Sequence, residues 1–181
     1  MVLLAGCTPY RFGWSNPTWV KEARQTLSAR PARLTQRAVV KAAGREFSCD
    51  GVVQFDADGG LELAVLSPMG VMAEVRMDSN GVVQVVKTAP SFRKAWAQEY
   101  IGTVVKLLFP VKVEEMATSM TVLWRREEDG RRWEYVFDGR KWQEATIRRG
   151  GRRVWEAKGS PEFWRVKGPG VEIELRTVER K

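Results

Sequence analysis

The chain has 181 residues, which is enough for one well-packed domain. Hydrophobic residues make up 44% and charged residues 29%, a balance that excludes a disordered chain, and no apolar run is long enough to form a transmembrane helix. The net charge of +8 points to an acidic partner, but basic residues alternate with acids and aromatics, which favours strands with one solvated face over a nucleic-acid-binding arm.

The N-terminal stretch Leu4-Ala5-Gly6-Cys7 matches the bacterial lipobox, in which small residues precede a cysteine that is acylated and becomes the mature N-terminus. We therefore predict lipid attachment at Cys7. Only six residues precede this cysteine, and a complete signal also has a basic region and a longer apolar stretch. We expect either that the true start lies upstream or that the signal is truncated.

Three regions are predicted along the chain. Residues 1–7 are the remnant of the signal, and residues 8–33 are a tether with Pro9, Pro17 and Pro31 and a short helix in TWVKEARQTLSAR. Residues 34–181 form the folded domain. Within it, LTQRAVVKAAGREFSCDGVVQF predicts two strands around Ala43-Gly44, and LELAVLSPMGVMAEVRMDSNGVVQVVKT predicts three more, joined by turns at SPMG and Asn80-Gly81.

The hydrophobic period changes in SFRKAWAQEYIGTVVKLLFP. Apolar residues recur there at helical spacing, which predicts an amphipathic helix with a wide apolar face. We expect Ser91 to be its N-cap and Pro110 to follow its end. The residues of the apolar stripe are Phe92, Trp96, Tyr100, Val104 and Leu108.

After this helix the strand pattern returns in six segments separated by turn residues, from SMTVLWRREED to VEIELRTVER. Short links favour antiparallel pairing. The fold class is therefore mainly β (α+β): a strongly curved antiparallel sheet or incomplete barrel of about eleven strands with an amphipathic lid helix.

The sequence does not indicate an enzyme. It contains no histidine, the commonest general base and metal ligand, and no phosphate-binding loop. Cys49 is interpreted as a strand thiol of the core, because nothing in the sequence would activate it. The acids Glu46, Asp50, Asp56 and Asp58 belong to a hairpin region where Asp is expected for backbone reasons, so we predict no metal and no cofactor.

Two features could bind apolar partners. Eight aromatic residues occur in the second half of the sheet; they either fill a core or, with the helix, line a cavity for an apolar ligand. Met69 occupies the tip of the tight turn formed with Pro68 and Gly70, where a polar residue is usual. It is either folded back onto the sheet or exposed to a lipid or a partner. The eight aromatics are Trp124, Trp133, Tyr135, Phe137, Trp142, Trp155, Phe163 and Trp164.

With a lipobox, a tether, about eleven strands and an amphipathic helix after the fifth, the chain resembles the LolA/LolB superfamily of lipoprotein carriers, and LolB-type outer-membrane lipoproteins in particular. The stretch LELAVLSPMGVMAEVRMDSNGVVQVV is similar to the family's strand, turn and hairpin, and GPGVEIELRTVE to its closing strand. The resemblance covers residues 34 to 178 in layout, and SPMG is its only local motif.

The resemblance implies a half-open barrel whose apolar cavity holds acyl chains, with Phe92, Trp96, Tyr100, Val104 and Leu108 facing the ligand. It also implies that the turn of Pro68, Met69 and Gly70 contacts the membrane. The expected protein is a monomeric outer-membrane lipoprotein that faces the periplasm, is anchored through Cys7, and transfers or localises lipids or lipoproteins. A periplasmic LolA-like carrier is the expected partner, and the excess of Lys and Arg favours anionic lipid surfaces.

Two alternatives remain open on the residues alone. One is an envelope structural or assembly lipoprotein of the same fold whose cavity is filled by side chains. The other is a cytoplasmic basic domain that binds nucleic acid, with the lipobox a chance match. An upstream in-frame extension with a basic and an apolar region would exclude the second.

Overall fold

The computed structural model describes residues 32–110, 114–117, 121–138, 141–160 and 162–181. Of the predicted signal and tether, residues 1–31 lie outside these ranges. Twelve strands and one helix are described. The first half consists of β1 (Arg33–Ala42), β2 (Arg45–Phe55), β3 (Leu61–Ser67), β4 (Gly70–Met77), β5 (Val83–Thr88) and α1 (Lys94–Leu108). The second half consists of β6 (Glu114–Ala117), β7 (Thr121–Glu128), β8 (Arg131–Asp138), β9 (Lys141–Arg149), β10 (Arg152–Ser160), β11 (Phe163–Gly168) and β12 (Val171–Arg180).

The strands form one antiparallel sheet in the order β5-β4-β3-β2-β1-β12-β11-β10-β9-β8-β7-β6. The first and last strands meet in its middle, where Ala38 lies opposite Leu175 and Val40 opposite Ile173. The sheet is not closed into a barrel, because β5 and β6 are its two edges. The predicted fold class, a curved antiparallel sheet with a helix, is confirmed. The structure has one strand more than the eleven predicted. This strand is β6, and its four residues are too few to show the alternation of a strand.

Alternating burial explains how the sheet encloses a core. Along β1 the side chains of Leu34, Gln36, Ala38 and Val40 are buried, and the residues between them are half-buried or exposed. Successive side chains of a strand point to opposite faces, so this pattern gives the sheet one apolar and one solvated face. The apolar face packs against α1.

The start of α1 differs from the prediction. The N-cap is Arg93 and not Ser91, and its side chain makes no capping hydrogen bond. The N–H of Phe92 instead donates to the carbonyl oxygen of Ala89 at 2.9 Å, in a turn that ends β5 and delays the helix by two residues. Phe92 therefore precedes the helix, although it lies on the same side as the helical apolar stripe.

Helix α1 covers the free edge of β5. The side-chain amide of Gln98 donates to the carbonyl oxygen of Val83 at 2.7 Å and accepts the N–H of Val85 at 3.1 Å. An exposed edge offers such groups to other chains and promotes aggregation. Gln98 satisfies two of them in the way a neighbouring strand would.

The core has two parts, and α1 contributes to both. Leu107 and Leu108 pack with the aromatic half of the sheet, whereas Ala97 and Val105 pack with β3, β4 and β5. Of the aromatics considered above, Trp133, Tyr135, Trp155 and Trp164 are buried in the core. The side chains of Trp124, Phe137 and Trp142 lie outside the part that the structure describes.

The solvated face carries cross-strand ion pairs. Glu46 lies 3.4 Å from Lys41, and Asp50 lies 3.1 Å from Arg37, while Asp58 accepts the N–H of Gly60 at 3.3 Å. Three of the four acids considered as metal ligands thus have local partners. Within the described ranges, no group of three or more Cys, Asp or Glu side chains is placed to hold a metal ion.

Candidate functional site

An apolar cavity of about 100 Å³ lies between α1 and the concave face of the sheet. The helix forms one wall with Ile101 and Val105 together with the five residues of the predicted stripe, Phe92, Trp96, Tyr100, Val104 and Leu108. The five residues selected from the sequence are therefore brought together at one cavity. Their role as contacts for an acyl chain stays a prediction.

Aromatic rings connect the helix to the far side of the cavity. Phe92 contacts Trp96 edge to face, with ring centroids 4.9 Å apart, and Trp96 stacks on Tyr100 at 4.6 Å. Tyr100 then meets Trp155 of β10 edge to face at 5.7 Å. Such pairs contribute about 0.5–1.5 kcal/mol each beyond the area they bury. They fix α1 across the sheet and place its apolar face over the cavity.

The opposite wall was not identified from the sequence. Side chains of β1, β2, β3, β4 and β12 form it, including Ala38, Val40, Ile173 and Leu175. Gly51 in β2 is also part of this wall, and a Cβ built there would come no closer than 3.5 Å to another atom. An alanine would therefore fit here in ordinary van der Waals contact, and a larger side chain would extend into the cavity. A glycine inside an alternating strand was the sequence signal for this opening.

One polar side chain is part of the apolar wall. Gln36 is 6% exposed and lines the cavity, and its side chain makes no hydrogen bond within the described part of the chain. The side-chain amide of Gln36 carries both donors and an acceptor and can therefore hydrogen-bond to a polar group of a bound ligand.

Cys49 lies beside Gly51 on the cavity wall and is half-buried. Burial, with a smaller contribution from the neighbouring Asp50 carboxylate, raises the pKa of its thiol from 9.0 to about 11. The thiol is thus protonated at neutral pH. A protonated thiol is a poor nucleophile, so this environment fits an apolar wall better than a reactive centre.

The predicted membrane-contacting turn projects from the sheet between β3 and β4. The Ser67 hydroxyl donates to the carbonyl oxygen of Gly70 at 3.3 Å and accepts the N–H of Met69 at 3.2 Å, while Gly70 adopts a φ of +115° that few other residues tolerate. Met69 is 96% exposed. Of the two orientations left open above, the structure shows the exposed one.

A separate groove lies on the other side of α1. Its volume is about 350 Å³, and charged residues of α1 and of the β7–β8 turn line it, including Glu99, Lys106 and Asp129. Lys106 is paired there with Glu128 at 2.9 Å. The helix thus separates an apolar cavity from a polar groove, and only the former matches an acyl chain in chemistry.

Cys7, the predicted attachment residue, lies outside the described residues. No helix in the described part of the chain is long and apolar enough to span a bilayer.

The fold and the cavity define a class of protein: an open half-barrel of antiparallel strands that encloses an apolar space under a helix. The same fold is found in a LolA superfamily protein from Nitrosomonas europaea, with a TM-score of 0.60 at 10% identity over 90% of this chain and 92% of that one. A Vibrio parahaemolyticus structure described as an outer membrane lipoprotein-sorting protein domain matches with a TM-score of 0.55 at 8% identity, over 90% of each chain. The predicted likeness in fold to LolA superfamily proteins is therefore confirmed, and the LolB type stays a prediction. The sequence matches no protein-family model and no curated protein.

Proposed function

We propose that this protein binds acyl chains in the cavity under α1 and takes part in the transfer or localisation of lipids or lipoproteins in the bacterial envelope. The observation that carries the proposal is the cavity itself, whose wall is apolar on both the helix side and the sheet side. The related fold of a lipoprotein-sorting domain supports it. Binding by this mechanism is noncovalent and requires no catalytic residue.

The energetics follow from burial. Each methylene transferred from water to an apolar site contributes about 0.8 kcal/mol. Sites for drug-sized ligands usually have volumes of about 300–1,000 Å³. The cavity of about 100 Å³ therefore takes only a segment of an acyl chain with α1 in its present position. Binding of a longer chain requires α1 to move away from the sheet.

The remaining predictions complete the proposal. Acylation of Cys7 anchors the protein in the outer membrane, facing the periplasm, and a LolA-like carrier delivers the ligand. Met69, with Pro68 and Gly70, contacts the membrane. The exposure of Met69 supports this contact, because a side chain that is 96% exposed gains apolar burial only from a partner.

The small volume of the cavity favours a second candidate function. A structural or assembly lipoprotein of the same fold would keep its cavity closed and bind another envelope protein. Native mass spectrometry of the protein purified from an envelope extract, combined with uptake of a fluorescent fatty acid, separates the two. We expect a lipid-sized mass increment and saturable uptake; absence of both would exclude the carrier function.

The anchor is tested separately. With a complete signal restored, metabolic labelling with an acyl analogue should label the protein and should be lost in Cys7→Ala. Label that persists in this variant would refute the assignment of Cys7.

A further inference from the structure

Two rows of arginines cross β8, β9 and β10 near the β7–β8 and β9–β10 turns. In the strand register Arg149 lies opposite both Arg131 and Arg152, and Arg148 lies opposite both Arg132 and Arg153. Residues opposite each other in a sheet project from the same face. We call Arg131, Arg149 and Arg152 the inner row, because Arg131 shares a face with the buried Trp133, and Arg132, Arg148 and Arg153 the outer row.

The two rows differ in their partners. Every arginine of the outer row has a carboxylate: Arg132 pairs with Glu127 at 2.9 Å, Arg148 with Glu134 at 3.0 Å, and Arg153 with Glu144 at 3.3 Å. The inner row has no ion pair within the described part of the chain. Like charges directly opposite each other destabilise a sheet. Glu128 lies opposite Arg131 in the register, but its carboxylate pairs with Lys106 and Arg126. Three neighbouring arginines that form no ion pair among the described residues therefore favour an anionic partner from outside.

The inner row shares a rim of the sheet with Met69. Because consecutive antiparallel strands reverse direction, five turns lie on this rim: residues 43–44, 68–69, 129–130, 150–151 and 169–170. Asp129 is the only acidic residue in them. The turns that the structure describes at the opposite rim carry Asp56, Asp58, Asp78 and Glu162 instead. The acidic turn residues therefore lie mostly at the rim opposite Met69.

The cavity extends toward the same rim. Phe47, Met72 and Phe92, which line it, each lie within a few residues of a turn or connection on this rim. A surface that contacted both Met69 and the inner row would therefore be close to the cavity.

We propose that the inner row binds the phosphate groups of an anionic lipid bilayer and holds the Met69 rim against the membrane. Arginine suits this role because its planar guanidinium donates two hydrogen bonds to a phosphate. Each basic residue close to an anionic bilayer contributes about fivefold to affinity. The inference deepens the proposed function by naming the surface at which the cavity would exchange lipid.

The test uses the full chain carrying Cys7→Ala, so that no acyl anchor contributes. The inner-row variant is Arg131→Gln/Arg149→Gln/Arg152→Gln. The matched control is Arg37→Gln/Arg132→Gln/Arg165→Gln, which removes the same number of charges from exposed, ion-paired arginines. Affinity is measured by sedimentation with vesicles of phosphatidylcholine, with and without phosphatidylglycerol.

We expect the parent chain to bind only the vesicles that contain phosphatidylglycerol. Its affinity for them should fall about a hundredfold in the inner-row variant and at most severalfold in the control. Added salt should weaken binding, since screening reduces these attractions. An equal loss in both variants would show a dependence on net charge only and would overturn the proposal, as would no loss in either. The proposal would also be overturned if single-stranded RNA competed for the inner row more strongly than phosphatidylglycerol does. That result would indicate a nucleic-acid-binding surface.

Fatty-acid uptake by the same variants separates this inference from the proposed function. The inner-row variant should take up fatty acid like the parent chain, because these arginines do not line the apolar cavity. If the parent binds anionic vesicles through the inner row but takes up no fatty acid, the carrier function fails and the docking surface stands. The reverse result rejects the docking surface alone.

Discussion

The phenol hydroxyl of Tyr100 in α1 donates a hydrogen bond to the carbonyl oxygen of Pro169, 3.2 Å away in the β11–β12 turn. This bond joins the middle of the helix to the central part of the sheet. A second bond, from the Tyr135 hydroxyl to the carbonyl oxygen of Lys106 at 3.0 Å, holds the C-terminal end of α1. These two bonds attach the helix to the second half of the sheet, in addition to the bonds of Gln98 to β5.

Removing the first attachment should loosen α1 without changing the aromatic contacts of residue 100. For Tyr100→Phe we expect the free energy of unfolding in urea to fall by about 0.5–1.5 kcal/mol, the usual contribution of one hydrogen bond. Fatty-acid uptake followed by stopped-flow fluorescence should become faster. Tyr135→Phe serves as the comparison, since it releases the other end of the helix. Unchanged uptake rates in both variants would show that α1 does not limit entry.

Filling the cavity at Gly51 should abolish ligand uptake. The leucine of Gly51→Leu would project into the space between α1 and the sheet, and overpacking of this kind costs about 1–3 kcal/mol. We expect a folded protein by circular dichroism that no longer takes up fluorescent fatty acid. Gly51→Ala is the control, because its Cβ meets no atom closer than 3.5 Å. Normal uptake by Gly51→Leu would place the ligand elsewhere.

A side chain at Gly168 should destabilise the aromatic half of the core. A Cβ there would lie 2.4 Å from the ring of Trp155, which must then shift from its contact with Tyr100. We expect Gly168→Ala to lower the unfolding free energy by about 1–3 kcal/mol in urea titration. Gly51→Ala, also in a strand but with room for its Cβ, should not show this loss. Equal stabilities of the two variants would contradict this packing.

The Cys49 thiol should react slowly at moderate pH. With its pKa raised to about 11 by burial, the thiolate is a minor species at pH 8, and alkylation by iodoacetamide in a Cys7→Ser background should be far slower than that of a free cysteine. The rate should rise with pH up to about 11, because deprotonation produces the nucleophile. Saturating fatty acid should slow the reaction further if the ligand occupies the cavity. Rapid alkylation at pH 8 would show that Cys49 is not shielded.

Loss of the Gln98 amide should expose the edge of β5. In Gln98→Leu the carbonyl of Val83 and the N–H of Val85 lose their partner, and we expect about 1–3 kcal/mol less stability by thermal or urea unfolding. Light scattering should show concentration-dependent association, since an open edge can pair with another chain. Glu99→Leu, one position along the helix, introduces the same side chain without uncovering the edge. Similar association of both variants would point to added hydrophobicity as the cause.

Local patterns were sufficient to predict the elements of the fold. Three local patterns predicted elements that the structure contains. They are the alternating residues of β1 and β12, the Asn80-Gly81 turn, and the helical spacing of Trp96, Tyr100 and Val104. The N-cap at Ser91 was wrong, because the turn that ends β5 includes residues 89–92 and competes with the cap. Strand β6 was too short for a period to show.

The two walls of the cavity differed in how far they could be predicted. The helix wall followed from spacing within one segment, since residues three or four apart share a face of a helix. The sheet wall combines Gln36, Gly51 and Ile173, which are far apart in the chain and meet through strand pairing. The pairing of these strands cannot be predicted from a local sequence pattern.

The sequence by itself determined the alternation that makes a sheet, the apolar stripe of the helix, the position of Met69 at a turn and the match to a lipobox at Cys7. The tertiary structure alone decided that Met69 is exposed, that a cavity remains between α1 and the sheet, and that the outer arginines are paired while the inner row is not. The reason is physical: periodicity is a property of neighbouring residues, whereas free volume and charge pairing depend on the register of strands that are distant in the chain.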